Sequence, residues 1–304
     1  MGIKIDGFTY VRNGFKMGYP FIASIQSVLP LVNELFVVVG NSEDGTREAI
    51  ENLRNDKIII IDSIWEENKR ENGEVFREQS NIGLRKIAGD WAIHIQADEV
   101  LNESVGEDLI NYIKIANELD HVDGLLFPFI HFWGDYNHIR QTRGTHAFEI
   151  RAFKNRRDVQ SYKDSQGFRI FKSSPNEKGI KLNVLKTEIP FYHYSYVRNP
   201  KLMNKKSNYF QSFWHGKDWL EKHTKESEFD YNEIDKLEVF RGAHPIYMKD
   251  EMRKQDWNFE YDPSKSNMRF KDKILNKFEE IFRYRLFEYK NYKIEQLPAK
   301  YKKS

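Results

Sequence analysis

Gln96, Ala97, Asp98 and Glu99 close a segment of alternating apolar residues, where a carboxylate can meet a metal ion or a phosphate. Trp91, Ile93 and Ile95 alternate with Ala92 and His94, the two-residue period of a strand. In open α/β sheets ligands gather at the carboxyl ends of strands. A second cluster, Gly40-Asn41-Ser42-Glu43-Asp44-Gly45-Thr46, follows an apolar run and opens a helix. Its small residues let a ligand approach the backbone, and the first helical amides are free to meet an anion. It lacks the glycine spacing and the lysine of a phosphate-cradling loop. Each cluster also has a plain reading: acids end strands because loops are wet, and Asp-Gly with a capping residue makes a turn.

These residues need a scaffold, and the pattern around them supplies one. Residues 3–11 read as a strand, and Tyr19-Pro20 opens a helix carrying Phe21, Ile22, Ile25, Val28 and Leu29. Residues 35–39 and 58–61 are short continuous apolar runs, as expected of strands buried on both faces. Residues 46–53 read as a helix with Asp44 and Thr46 as rival N-caps, 66–73 as a charged loop, and 76–88 as a helix. Strands alternating with short helices imply a parallel sheet with helices on both faces. Beyond it come a helix at 104–119, a strand at 124–132, a basic stretch through Arg140 and Arg143, and a strand at 149–153. His193-Tyr194-Ser195-Tyr196 follows another short strand. A soft boundary near residue 200 separates a domain of residues 1–200 from a helical extension, 201–304. In its tail Ile274, Phe278, Ile281, Phe282 and Leu286 share one helical face opposite a lysine-rich one, which caps the domain or touches an anionic membrane.

The 304 residues carry a net charge of +2, with 31% charged and 14% aromatic side chains. That balance gives no footing for nucleic acid as a partner. With no cysteine, disulfides and thiolate metal sites are excluded. No run approaches the ~18 apolar residues that span a bilayer. No signal peptide is visible, so a cytoplasmic place is expected, with peripheral attachment at the inner face of a membrane as the second expectation.

Several segments together resemble family 2 glycosyltransferases with the GT-A fold. Val38-Val39-Gly40-Asn41-Ser42-Glu43-Asp44-Gly45-Thr46 is similar to their strand-two loop, and Thr9-Tyr10-Val11-Arg12-Asn13 to the end of their first strand. Asn81-Ile82-Gly83 through Trp91 resembles the approach to their Asp-x-Asp motif, on which Gln96-Ala97-Asp98 then falls. Asp164-Ser165-Gln166-Gly167-Phe168-Arg169 and His193 through Arg198 resemble segments of a bacterial branch. The resemblance spans roughly residues 3–206.

It implies a Rossmann-like mixed sheet flanked by helices, a nucleotide-diphosphate sugar donor and a divalent cation, Mn²⁺ or Mg²⁺. It implies an acceptor hydroxyl on a glycan, a lipid-linked molecule or a small molecule, and an inverting transfer. By resemblance the donor meets Thr9, Tyr10, Arg12, Asn13, Gly40, Ser42, Asp44, Asn81, Gln96, Ala97, Gln166, Arg169 and Arg198. Asp98 and His193 hold the metal, with Glu99 ranked below Asp98, and Lys205 joins Arg169 and Arg198 as a phosphate partner. Asp164 is the base, with Asp135 and Glu149 as rivals. Two positions depart from the pattern: Gln96 replaces an acid, and Gly40 stands where relatives place an Asp that reads the base. Trp133 is the aromatic singled out to stack on a sugar. A nucleotidyltransferase and a non-catalytic module of the same fold are the alternatives.

Overall fold

The computed structural model describes residues 2–66, 73–172, 178–224, 227–282 and 284–301. The first half runs β1 (Ile5–Val11), α1 (Phe21–Val28), β2 (Leu35–Val39), α2 (Thr46–Glu51), β3 (Ile58–Asp62), α3 (Glu74–Leu84), β4 (Trp91–His94), β5 (Glu99–Leu101), α4 (Gly106–Asn117), β6 (Gly124–Trp133) and β7 (His138–Ile139). Then come β8 (Phe148–Lys154), β9 (Val159–Ser161), β10 (Phe168–Ile170), β11 (Ile180–Lys186), β12 (Phe191–Tyr196), α5 (Pro200–Gln211), α6 (Lys217–His223), β13 (Glu238–Val239), α7 (Lys249–Arg253), α8 (Phe270–Phe282) and β14 (Tyr292–Glu295). The sheet order is β3-β2-β1-β4-β8-β6-β11-β10-β9. β3, β2, β1 and β4 are parallel, and β8 runs against both β4 and β6, so the sheet is mixed.

Strand alternation divides the core. Trp91, Ile93 and Ile95 pack with Phe21 and Ile25 of α1 and Leu109 and Ile113 of α4. Ala92 faces the other way, with Phe8, Leu84 of α3, Phe153 and Phe168. His94 shares that second face, stacked on Phe8 with centroids 4.7 Å apart. Its Nδ1 lies 3.3 Å from Phe8 O, and burial holds its imidazole well below the usual range, so it is a neutral core residue.

Several expected boundaries move for physical reasons. β3 is a half-exposed edge strand, because it pairs with β2 alone. The N-cap of α2 is Gly45, at φ 81°, while Asp44 Oδ1 accepts from Thr46 N at 3.2 Å. His193 to Tyr196 lie within β12 and do not follow it. α8 stops at Phe282 and buries none of its residues, with Ile274, Ile281 and Phe282 exposed; Leu286 lies beyond it. The chain then adds β14 in parallel to β11, so its C-terminal part joins the main sheet. Residues 67–72 of the expected charged loop lie outside the described residues. Among the described residues no helix is long and apolar enough to cross a membrane.

One buried ion pair ties β4, β5 and β8 together. Glu99 Oε2 accepts from Arg151 Nε at 2.9 Å and Oε1 from Arg151 Nη2 at 2.7 Å. Glu99 Oε2 also accepts from Gln96 N at 3.0 Å, which closes the turn between β4 and β5. Both side chains are almost wholly buried, at 1% and 3% exposure. Removing one partner leaves an uncompensated buried charge. Arg151→Met is expected to cost about 3–5 kcal/mol of folding stability, read by urea denaturation. A loss of under about 1 kcal/mol would take this structural role from the pair.

Candidate active site

Gln96, Ala97 and Asp98 of the turn after β4 line a cavity of about 290 Å³. Tyr10, Arg12, Gln96, Ala97, Asp98, Asp164 and His193 all line it. Strand pairing explains their convergence. β5 and β12 are antiparallel with Glu99 opposite His193, and Tyr194 N donates to Asp98 O at 2.8 Å. β1 lies beside β4, bringing Tyr10 and Arg12 to the same end of the sheet.

Asp98 faces two nitrogen groups. Its Oδ1 lies 3.8 Å from His193 Nε2 and its Oδ2 3.7 Å from Lys206 Nζ. Burial alone would raise this carboxyl. His193, Lys206, Arg198 and the Ser195 hydroxyl outweigh it and hold Asp98 below the usual carboxylate range.

Hydrogen bonding sets the tautomer of His193. His131 Nε2 lies 2.7 Å from His146 O, a carbonyl that only accepts, so that nitrogen carries the proton. Burial, reinforced by His193, pushes the His131 imidazole down to about 3, so it is neutral and its Nδ1 accepts. His193 Nδ1, 2.8 Å away, must then donate. Burial also pushes the His193 imidazole down, against the pull of Asp98, and in its neutral form the lone pair lies on Nε2. Two lone pairs, on His193 Nε2 and Asp98 Oδ1, therefore face one gap. That donor set would suit Mn²⁺, which takes imidazole as well as oxygen. Among the described residues no group of three or more His, Asp and Glu is placed to hold a metal.

Asp164 has the opposite environment. Burial raises its carboxyl, outweighing hydrogen bonds within residues 164–166 and the charge of Lys163. Its Oδ1 is buried with no hydrogen-bond partner. Asp135 and Glu149, its rivals from sequence, are not among the residues lining the cavity. Asp135 Oδ1 instead holds a turn, accepting from Asn137 N at 2.9 Å and from His138 N at 3.0 Å. Glu99 meets Arg151 with both oxygens and is not among the residues lining the cavity.

The other residues singled out from sequence lie outside the cavity wall, and most have structural partners. Ser42 Oγ accepts from Asn13 N at 2.9 Å, Thr46 Oγ1 from Gly14 N at 2.8 Å, and Asp44 Oδ2 from Lys16 N at 2.7 Å. Asn13 Oδ1 accepts from Glu43 N at 2.9 Å. These bonds stitch the loop after β1 to the loop after β2 and occupy the amides of Asn13, Gly14, Lys16 and Glu43. Thr9 is buried, and its hydroxyl has no partner. Asn81 Oδ1 accepts from Ser161 N at 2.9 Å. Gln166 O accepts from Asn291 Nδ2 at 3.1 Å. Arg169 donates to Asn291, Lys178 O and Tyr289, and its guanidinium lies 3.7 Å from the Tyr162 ring centroid. Arg198 donates to the carbonyls of Met17 and Tyr194. A Cβ on Gly40 would stand 2.5 Å from Trp65 Nε1, so glycine there is required by packing. Trp133 is buried, stacked on Tyr196 with centroids 4.2 Å apart, and donates to Tyr231 O at 2.9 Å. Lys205 is exposed.

Sequence reasoning missed Tyr19, Trp65, Ser195, Lys206 and Ser207 in the wall. Met203, Lys206, Ser207 and Phe210 fall at i, i+3, i+4 and i+7 of α5, a stripe that pattern alone shows but cannot aim.

A family model described as "Glycosyl transferase family 2" matches residues 12–180, more than half of the chain. Among solved structures the chain is similar to S. aureus TarS 1-349, at 15% identity and a TM-score of 0.39, covering 69% of this chain and 65% of that one. It is similar to the mannosyltransferase PcManGT from Pyrobaculum calidifontis, in complex with GDP-Man and Mn²⁺, at 17% identity and a TM-score of 0.35, covering 51% and 45%. It is also similar to 4-diphosphocytidyl-2C-methyl-D-erythritol synthase from Anaerococcus prevotii, at 14% identity and a TM-score of 0.32, covering 51% and 71%. The chain thus spans slightly less than two thirds of TarS 1-349. No curated protein matches it in sequence.

Glu149 gives this region a pH signature. Burial, with Glu99 and Asp164 opposing Arg151, raises its carboxyl from 4.5 to about 8. Between those values the folded chain holds a proton that the unfolded chain releases, so stability falls as pH rises. Glu149→Gln removes that dependence. Thermal melts from pH 5 to 8 are expected to fall more steeply for the wild type than for the variant, and parallel curves would refute the assignment.

Proposed function

The chain belongs to glycosyl transferase family 2, and we propose that it moves a sugar from a nucleotide-diphosphate sugar to an acceptor hydroxyl by a single inverting displacement. The observation that carries this reading is a pair of carboxyls in one cavity with opposite environments. Asp98 is held ionised, and Asp164 is raised with a free oxygen. Environments that push two carboxyls apart assign them different tasks.

Asp164 is the base. As the acceptor oxygen bonds to the anomeric carbon, its proton passes to Asp164, and the bond from that carbon to the diphosphate breaks. The electron pair leaves with the nucleoside diphosphate. Asp98 and His193 would hold a divalent cation, which supplies charge to the leaving diphosphate. Tyr10, Trp65, Phe76, Phe210 and Trp214 give the cavity aromatic walls, suited to the faces of a base or a sugar.

A nucleotidyltransferase would use the loop after β1 to hold phosphates. Here the amides of Asn13, Gly14 and Lys16 are already bonded to Ser42, Thr46 and Asp44, which favours the glycosyltransferase reading.

Asp164→Asn is expected to lower kcat by about 100-fold or more with donor affinity retained. Because Asp164 acts unprotonated and its carboxyl is raised, the wild-type rate should fall on the acid side at a pH above the ordinary carboxylate value. A limb at or below pH ~4 would contradict its role. Asp98→Asn should abolish the Mn²⁺-dependent part of nucleoside diphosphate affinity. Unchanged calorimetric binding with Mn²⁺ would remove Asp98 from the metal.

A further inference from the structure

We propose that Lys206 is a second, built-in cation for the donor's diphosphate, so that the cavity binds nucleoside diphosphates without a divalent ion. The inference rests on the donor reading above and concerns a residue that reading does not use. α5 is capped by Asn199, whose side chain accepts from Lys201 N, and its inner stripe brings Lys206 to the cavity wall. The Lys206 side chain is 6% exposed. Its Nζ donates to Ser195 O at 2.9 Å and to Ser195 Oγ at 2.8 Å. An ammonium has three protons. The third is left to Asp98 Oδ2, whose 3.7 Å separation exceeds a normal hydrogen bond and leaves room for a closer acceptor. The rings of Tyr19, Phe210 and Tyr196 lie 4.9, 5.4 and 5.9 Å from Nζ.

A cation taken out of water is costly unless it is fully paired. Lys206 is only partly paired, with one carboxylate at ion-pair distance and one proton to spare, and burial with the charge of Arg198 lowers its ammonium well below the usual lysine range against the pull of Asp98. A phosphate oxygen beside Asp98 would complete it. The charge count agrees. Gln96 contributes no charge, and the charge of Glu99 is taken by Arg151. Asp98 is therefore the one free carboxylate of the turn, and it faces Lys206. An arriving diphosphate finds a floor whose negative charge is already balanced, with a desolvated ammonium at its edge.

The test is calorimetry in EDTA with UDP, GDP, CDP and ADP, their parent nucleosides, and inorganic pyrophosphate. The wild type is expected to bind at least one nucleoside diphosphate more tightly than its nucleoside. Lys206→Met should lose that increment, weakening diphosphate binding by roughly 10- to 100-fold while nucleoside affinity stays. Lys206→Arg should restore part of it. Lys206→Gln, whose amide can still donate to Ser195, replaces Met if the Met variant does not melt as a folded protein. Equal diphosphate affinity in the wild type and the neutral variant overturns the role of Lys206 and leaves the donor reading intact. A strict Mn²⁺ requirement in the wild type overturns the role in the same way. A wild type that binds no diphosphate, with or without Mn²⁺, overturns both.

Discussion

The buried pair of Glu99 and Arg151 is the constraint on which the cavity depends. Glu99 meets the arginine with both oxygens and the Gln96 amide with one of them. This fixes the turn that carries Asp98 and leaves Glu99 no freedom to approach a ligand. From that turn β5 pairs with β12, which sets His193 and Ser195 at the edge of the same space. A dry ion pair is a poor source of net stability but a strong constraint on geometry, because neither charge can be left alone.

Around that floor the two loops at the ends of β1 and β2 are bonded to each other through Asn13, Ser42, Asp44 and Thr46. The hydrogen-bonding groups that a sequence reader would assign to a ligand are spent on shaping the wall. What the wall offers a ligand is aromatic surface with polar side chains set among it. Three of these are unusual in their environment: Asp98 ionised between His193 and Lys206, Asp164 raised and partly unpaired, and Lys206 incompletely paired. In a desolvated space each such group is worth more to an incoming charge than it would be in water.

The tautomer of His193 illustrates how far the support extends. A backbone carbonyl at His146 fixes His131, and His131 fixes His193. Three histidines from β6, β12 and the segment before β8 thus deliver one lone pair to the cavity. His131 and His146 carry no sequence signal, since nothing in their local spacing distinguishes them from core histidines.

The sequence by itself determined the parallel strand-helix alternation of the first third and the acidic turn after Ile95. It also carried the resemblance that names the family. Those features are local: strand period, short apolar runs and residue order survive without knowledge of contacts. It placed Tyr10, Arg12, Gln96, Ala97, Asp98, Asp164 and His193 among its candidates, and the fold brings these to one cavity. It could not separate them from Arg169 or Ser42, which look equally functional in one dimension and serve as braces in three. It chose Lys205 where α5 turns Lys206 inward, because a helix rotates about 100° per residue and only packing says which face is inside. Tertiary structure alone decided that choice, along with the pairing of Glu99 and the opposite environments of Asp98 and Asp164. Burial and charge at a point are sums over residues far apart in the chain.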